Sequence, residues 1–191
     1  FYSNALDEPM ADVLLLHVAR GLAGDLRMKK ILFGIGCSNS GKSTFVQALT
    51  MACGSLVGTF AADNLKHNHS SADAASQNRY AYLLKHKRII VSSEMNAQKG
   101  ASIDGNAIKK LVSGGADKMV GRNLYENEQQ FRTHFMPIIM MNDCLPIDPY
   151  DPAMNNRLVV FTFKKEYVDV IDPNNPLHLK KDENIDNIIN S

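Results

Sequence analysis

Eight residues constrain this fold more than any others: Gly36-Cys37-Ser38-Asn39-Ser40-Gly41-Lys42-Ser43, followed by Thr44. The pattern G-x-x-x-x-G-K-[ST] makes a phosphate-binding loop, and it does so only between a strand and a helix. The glycines let the backbone turn tightly, so that successive N–H groups and the helix N-terminus converge on an anion. Both flanks agree. Lys30-Ile31-Leu32-Phe33-Gly34-Ile35 reads as a short buried strand, and Thr44 to Met51 as a helix with an apolar face. In such a loop Lys42 reaches the β- and γ-phosphates of a nucleoside triphosphate, and the Ser43 hydroxyl ligates Mg²⁺. A nucleotide with Mg²⁺ is therefore the expected ligand, cradled by Gly36 to Thr44.

At 191 residues one domain is the natural count, with enough chain for a substantial core. A net charge of +1 gives no global basic signal, so any contact with nucleic acid must come from a local cluster. Cys37, Cys53 and Cys144 lack metal-site spacing and read as ordinary thiols of a reducing, intracellular compartment. No apolar run is long enough for a membrane span, and no signal peptide opens the chain. The start at Phe1 and the abrupt polar end suggest a piece excised from a larger protein.

Ahead of the loop, Asp7-Glu8-Pro9 is a helix start, and apolar spacing carries the helix to Leu22, with Gly21 or Gly24 to end it. After it, Val57 to Phe60 reads as a short strand, His67 to Ser71 as a polar loop of solvated histidines, and Ala72 to Leu84 as a helix. A third strand, Arg88 to Ser93, ends at Glu94, and a helix follows around Asn106 to Val112. Two extended runs between Lys118 and Phe135 flank Glu126-Asn127-Glu128, as in a hairpin. Pro137 to Met141 is a buried strand ending at Asn142, a turn-rich loop spans Pro146 to Pro152, and Leu158 to Phe163 is the last strand. The polar, proline-marked stretch from 172 to 191 reads as a loosely attached arm.

Open α/β sheets assemble their sites at the carboxyl ends of strands. Glu94 stands at one such end, where a carboxylate holds hydrated Mg²⁺ or orients an attacking water. Asn142 stands at another, where an uncharged amide can bond both a γ-phosphate and that water. Arg157 comes just before a strand, and its guanidinium suits a developing phosphoryl charge if another subunit's site faces it.

The series "GLAGD", "GCSNSGKST", "KRIIVSSE", "IKKLVSGGADKMVGRNLYENEQQF", "PIIMMNDCLPI" and "NNRLVVFTF" resembles the superfamily 3 helicases, a branch of the AAA+ ATPases. The poxvirus- and phage-type primase-helicases are the nearest group, and the resemblance runs from about Val13 to Val168. It implies a P-loop AAA+ α/β fold, with a mainly parallel central sheet flanked by helices and an inserted β-hairpin. The implied domain is 1–171, followed by the arm, within a longer chain that also carries a primase domain. A homo-hexameric ring with ATP between subunits and single-stranded DNA in its channel is implied as well.

By that resemblance Lys42, Ser43 and Thr44 match Walker A, Glu94 the Walker-B acid, Asn142 the sensor and Arg157 the arginine finger. Lys118, Arg122 and Tyr125 fall in the channel-hairpin segment and are the candidate DNA contacts. Walker B carries a single acid (Ser93-Glu94), one arginine follows Asn156, and Tyr125-Glu126-Asn127 stands at the hairpin tip instead of Lys-His. Lys109 and Lys110 compete for the role of a basic residue reaching the neighbour's nucleotide. The expected activity is an ATP-driven replicative DNA helicase core of a virus, phage or plasmid. The alternative is an AAA+ switch or loader that binds nucleic acid without unwinding it. A small-metabolite P-loop kinase would need a lid with several arginines, and only Arg157 follows Asn142.

Overall fold

The structure is a computed structural model that describes residues 5–25, 27–67, 82–92, 95, 100–121 and 127–190. Its first half runs α1 (Glu8–Ala23), β1 (Ile31–Gly36), α2 (Lys42–Cys53), β2 (Val57–Phe60), β3 (Ile89–Ser92), β4 (Ile103–Asp104) and α3 (Gly105–Leu111). Then come β5 (Lys118–Gly121), β6 (Gln129–Arg132), β7 (Met136–Met141), β8 (Ile147–Asp148), α4 (Pro152–Asn155) and β9 (Leu158–Phe163). The chain closes with β10 (Glu166–Val168), β11 (His178–Lys180) and α5 (Ile185–Asn190).

Five strands form one sheet in the order β2-β3-β7-β1-β9, and every pairing in it is parallel. Such a sheet needs cover on both faces, which is why its strands are apolar almost throughout. The period of two sorts the side chains. Ile31, Phe33, Ile90, Ile139 and Met141 face one core, packed with Ile108 and Leu111 of α3. Leu32, Val91, Ile138, Met140, Phe161 and Phe163 face the other, against Leu14 and Val18 of α1 and Phe45 and Leu49 of α2. The expected α/β fold, a parallel sheet flanked by helices with an inserted hairpin, is the fold observed. That hairpin is β5 paired antiparallel with β6.

Asp7 is the N-cap of α1 but its side chain makes no cap bond; the carboxylate accepts from Lys164 Nζ at 2.5 Å instead. Gly24, not Gly21, ends α1, with φ 73°. Gly21 lies inside the helix, where a Cβ would come within 2.7 Å of Met136 Cβ, so its role is to let α1 close on the sheet. His67 is no solvated loop histidine: its Nε2 lies 2.6 Å from the Asp148 carbonyl oxygen. The turn-rich loop likewise contains β8, paired with β4. The expected helix from Ala72 and the second histidine, His69, lie outside the described residues, apart from the helical stub at 82–83.

The loosely attached arm is corrected most. β11 pairs in parallel with β10, Tyr167 N–H donates to the Asn39 carbonyl at 2.9 Å, and α5 packs on α2. The chain from Glu166 onward therefore folds back onto the Gly36–Ser43 loop as a strap.

One glycine outside the loop carries a firm stability prediction. A Cβ at Gly105 would sit 2.2 Å from the Pro149 carbonyl oxygen, a backbone atom that no rotamer change can move aside. Gly105→Ala is expected to cost about 1–3 kcal/mol, the usual cost of overpacking, read as a lower Tm in a thermal melt. An unchanged Tm would mean that the β8 loop yields freely.

Candidate functional site

The carboxyl ends of β1 and β7 lie side by side, with Ile35 opposite Met141. The loop after β1 therefore faces the residue after β7. Its backbone takes two left-handed turns, at Asn39 (φ 59°) and Gly41 (φ 90°), before α2 begins at Lys42. Asn is among the few residues that tolerate this conformation, and Gly accepts it freely. At Gly36 a Cβ would fall 2.7 Å from Ser40 Oγ and 2.8 Å from the Phe163 carbonyl oxygen, so only glycine lets the loop close over β9. Buried Ser40 locks the turn by donating to the Cys37 carbonyl at 2.8 Å.

Lys42 reaches across this turn. Its ammonium donates to the carbonyls of Gly36 (2.5 Å) and Cys37 (2.6 Å) and to Asn142 Oδ1 at 2.9 Å, across 100 residues of sequence. Lys42 and Asn142, picked out separately from the sequence, thus meet in one place. Ser43 is exposed at the start of α2 and lines the same cavity, of about 530 Å³. Glu94 lies outside the described residues; the strand before it, β3, ends at Ser92.

The far wall of the cavity consists of residues that sequence reasoning missed: Tyr167, Lys180, Lys181, Asp182 and Ile185, all on the strap. Nothing local marks them, since three-residue strands carry no readable period. Burial pushes the Tyr167 phenol above its ordinary pKa.

Arg157 stands at the opposite end of the sheet. Its carbonyl accepts from Ile31 N–H at 2.9 Å, at the start of β1, whereas the loop leaves from the other end at Gly36. Five strand residues separate the two, roughly 16 Å at about 3.3 Å per residue. The structure therefore does not bring Arg157 to its own chain's loop. Its half-buried guanidinium donates through Nη1 to the Ala153 carbonyl at 2.7 Å, while Nε is buried without a hydrogen-bond partner among the described residues.

Lys109 and Lys110 differ clearly. Lys109 hydrogen-bonds Asp151, holding that carboxyl below the usual carboxylate range, and Asp151 caps α4, the helix before Arg157. Lys110 is exposed. On the hairpin, Lys118 sits directly opposite Arg132, both exposed, while Met119 and Phe131 turn toward the core. Like charges facing each other across a strand pair are unfavourable, so the pairing makes a concentrated cationic spot. Arg122 and Tyr125 lie outside the described residues, and Arg132 is a cation that sequence reasoning did not single out.

Among the described residues no helix is long and apolar enough to cross a membrane, and no group of three or more His, Cys, Asp or Glu could hold a metal ion. The three cysteines are free.

The chain is 42% identical over 174 residues to the protein named "Putative helicase V13" of Sputnik virophage, covering 90% of this chain and 22% of that one. It is 24% identical over 162 residues to "Putative helicase L207/L206" of Acanthamoeba polyphaga mimivirus, covering 85% and 16%. The chain thus spans less than a quarter of either relative. Among solved structures, the A form apo structure of the NrS-1 C-terminal region matches with a TM-score of 0.66 at 16% identity, over 99% of this chain and 40% of that one. A JCV helicase structure matches with a TM-score of 0.51 at 15% identity, over 84% and 43%. At these identities the likeness is one of fold. A family model described as a family of unknown function, DUF5906, matches residues 35–157, more than half of the chain. The chain belongs to the family of unknown function DUF5906.

Proposed function

We propose that this chain is the ATP-driven core of a viral DNA helicase of superfamily 3, working as a ring on single-stranded DNA within a longer primase-helicase in the infected cell. The observation that carries the reading is the Lys42–Asn142 bond at the mouth of the phosphate loop. It joins a phosphate-binding cation to a polar, uncharged group at the neighbouring strand end, which is where a γ-phosphate would lie. The names of the viral relatives point the same way.

In this reading the backbone N–H groups of the loop and Lys42 bind the phosphates, and Ser43 would hold Mg²⁺. That ion supplies charge neutralisation at the phosphates. Glu94, as the Walker-B acid, would hold the ion through its water shell, since magnesium keeps several waters and takes phosphate oxygens beside one or two carboxylates. Asn142 positions the terminal phosphate and the lytic water, and Glu94 takes that water's proton. Arg157, remote from its own loop, completes the site of the adjacent subunit, and exposed Lys110 is better placed than Lys109 to reach across as well.

The test is ATP-dependent displacement of a labelled strand from a forked duplex by the assembled protein. Binding and hydrolysis without displacement would select the switch or loader.

Affinity for a strand must come from local cations, because the chain is nearly neutral. Lys118 and Arg132 supply them on the hairpin, with Arg122 and Tyr125 as the further candidates. A Lys118→Ala/Arg132→Ala double variant is expected to weaken single-strand binding whatever the sequence. It should also flatten the plot of log affinity against log salt by about 0.7 for each phosphate that the variant no longer neutralises. A salt titration reads this out, and an unchanged slope would move the DNA-binding surface elsewhere.

A further inference from the structure

We propose that the strap formed by β10, β11 and α5 holds the nucleoside half of the triphosphate, making the site selective for a ribonucleotide over bare polyphosphate. The proposal rests on the nucleotide reading above and adds what recognises the rest of the molecule. Phosphates on the loop occupy only the end of the cavity beside Gly41 and Lys42. A volume of about 530 Å³ is well within the ~300–1,000 Å³ of pockets that enclose whole small ligands, and its other wall is the strap.

That wall is held in fixed relation to the phosphate cradle. Tyr167 N–H donates to the carbonyl of Asn39, itself a loop residue, at 2.9 Å. Lys181 N–H donates to the Val168 carbonyl at 3.0 Å, and the Lys180 ammonium donates to the Asp169 carbonyl, so both strands of the strap are tied together. Behind them α5 rests on α2, the helix whose first turn faces the phosphates.

The chemistry of the wall suits a nucleoside. Half-buried Tyr167 and Ile185 offer apolar surface to a flat base, whose faces stack without regard to its edge pattern. Asp182 is the only acid among the described residues lining the cavity. Its Oδ1 accepts from Asn184 N–H at 2.9 Å, which orients the carboxylate. An anion beside a triphosphate is unfavourable there unless it meets hydroxyl donors, and the ribose provides them.

Calorimetry with Mg²⁺ compares three probes: ATP, 2′,3′-dideoxy-ATP and inorganic tripolyphosphate. Wild type should bind ATP about 10-fold or more tighter than tripolyphosphate, the size of one stacking contact. Tyr167→Ala and Ile185→Ala should each lose most of that preference and keep the tripolyphosphate affinity, which also reports that the loop is still folded. Asp182→Ala should close the gap between ATP and its dideoxy analogue. Equal affinity of wild type for ATP and tripolyphosphate, or variants that lose both in parallel, would overturn the strap's role. An unchanged ATP-to-dideoxy ratio in Asp182→Ala would remove the ribose contact. Wild type that binds none of the three would instead overturn the nucleotide reading itself.

Discussion

Lys42→Ala is expected to weaken ATP·Mg²⁺ binding by at least about 10²-fold and to abolish turnover, while Glu94→Gln keeps the affinity and loses hydrolysis. The two residues have different jobs. Lys42 would exchange its bonds to the Gly36 and Cys37 carbonyls for bonds to phosphate oxygens. Two charge-assisted bonds at roughly 1.5–3 kcal/mol each account for that loss. A general base acts on the water, so its removal spares the ground-state complex and slows the chemistry by about 10²–10⁴-fold. Calorimetry and a phosphate-release assay on the two variants separate the effects. Equal loss of affinity in both would remove Glu94 from the hydrolytic role. Asn142→Ala belongs with Glu94 in this scheme: Lys42 and the N–H groups of the loop still meet the phosphates, so binding should persist while hydrolysis falls.

Arg157→Ala is expected to fold, to bind ATP and to hydrolyse it on the order of 10³-fold more slowly, the lower end for an arginine supplied in trans. The geometry makes this prediction sharper than the sequence could. With Arg157 beside the start of β1 and the loop at its end, a contribution to its own site would need the guanidinium to reach along the whole length of β1, roughly 16 Å. Mixing Arg157→Ala subunits with Lys42→Ala subunits should restore part of the activity, because some interfaces then join an intact Lys42 to an intact Arg157. Failure of rescue at every ratio, with co-assembly shown by light scattering, would confine Arg157 to anchoring α4 through the Ala153 carbonyl.

The strand–loop–helix unit was legible because each part is specified locally. Apolar runs, two glycines and a helix-forming segment leave few alternatives over so short a stretch. The same holds for Asn142, which follows an uninterrupted run buried on both faces, Met136 to Met141. The hairpin was legible from its two extended runs, but not which cations share a face. Lys118 and Arg132 are opposed only because the register is fixed by Met119 and Phe131 pointing inward. Lys109 and Lys110 could not be told apart either, since the discriminating partner, Asp151, lies 42 residues away.

Hydrophobic period and turn chemistry act over a few residues, and they were enough to lead β1 into a tight glycine-bearing loop and a helix and to set an acid and an amide after later apolar runs. Tertiary structure alone decided that β7 and β9 flank β1, which brings Asn142 to Lys42 and leaves Arg157 at the opposite end. It alone turned a polar tail into the far wall of the cavity. Strands of three residues and a helix of six are too short to be stable or readable alone, and they exist here because the loop and α2 give them something to pack against.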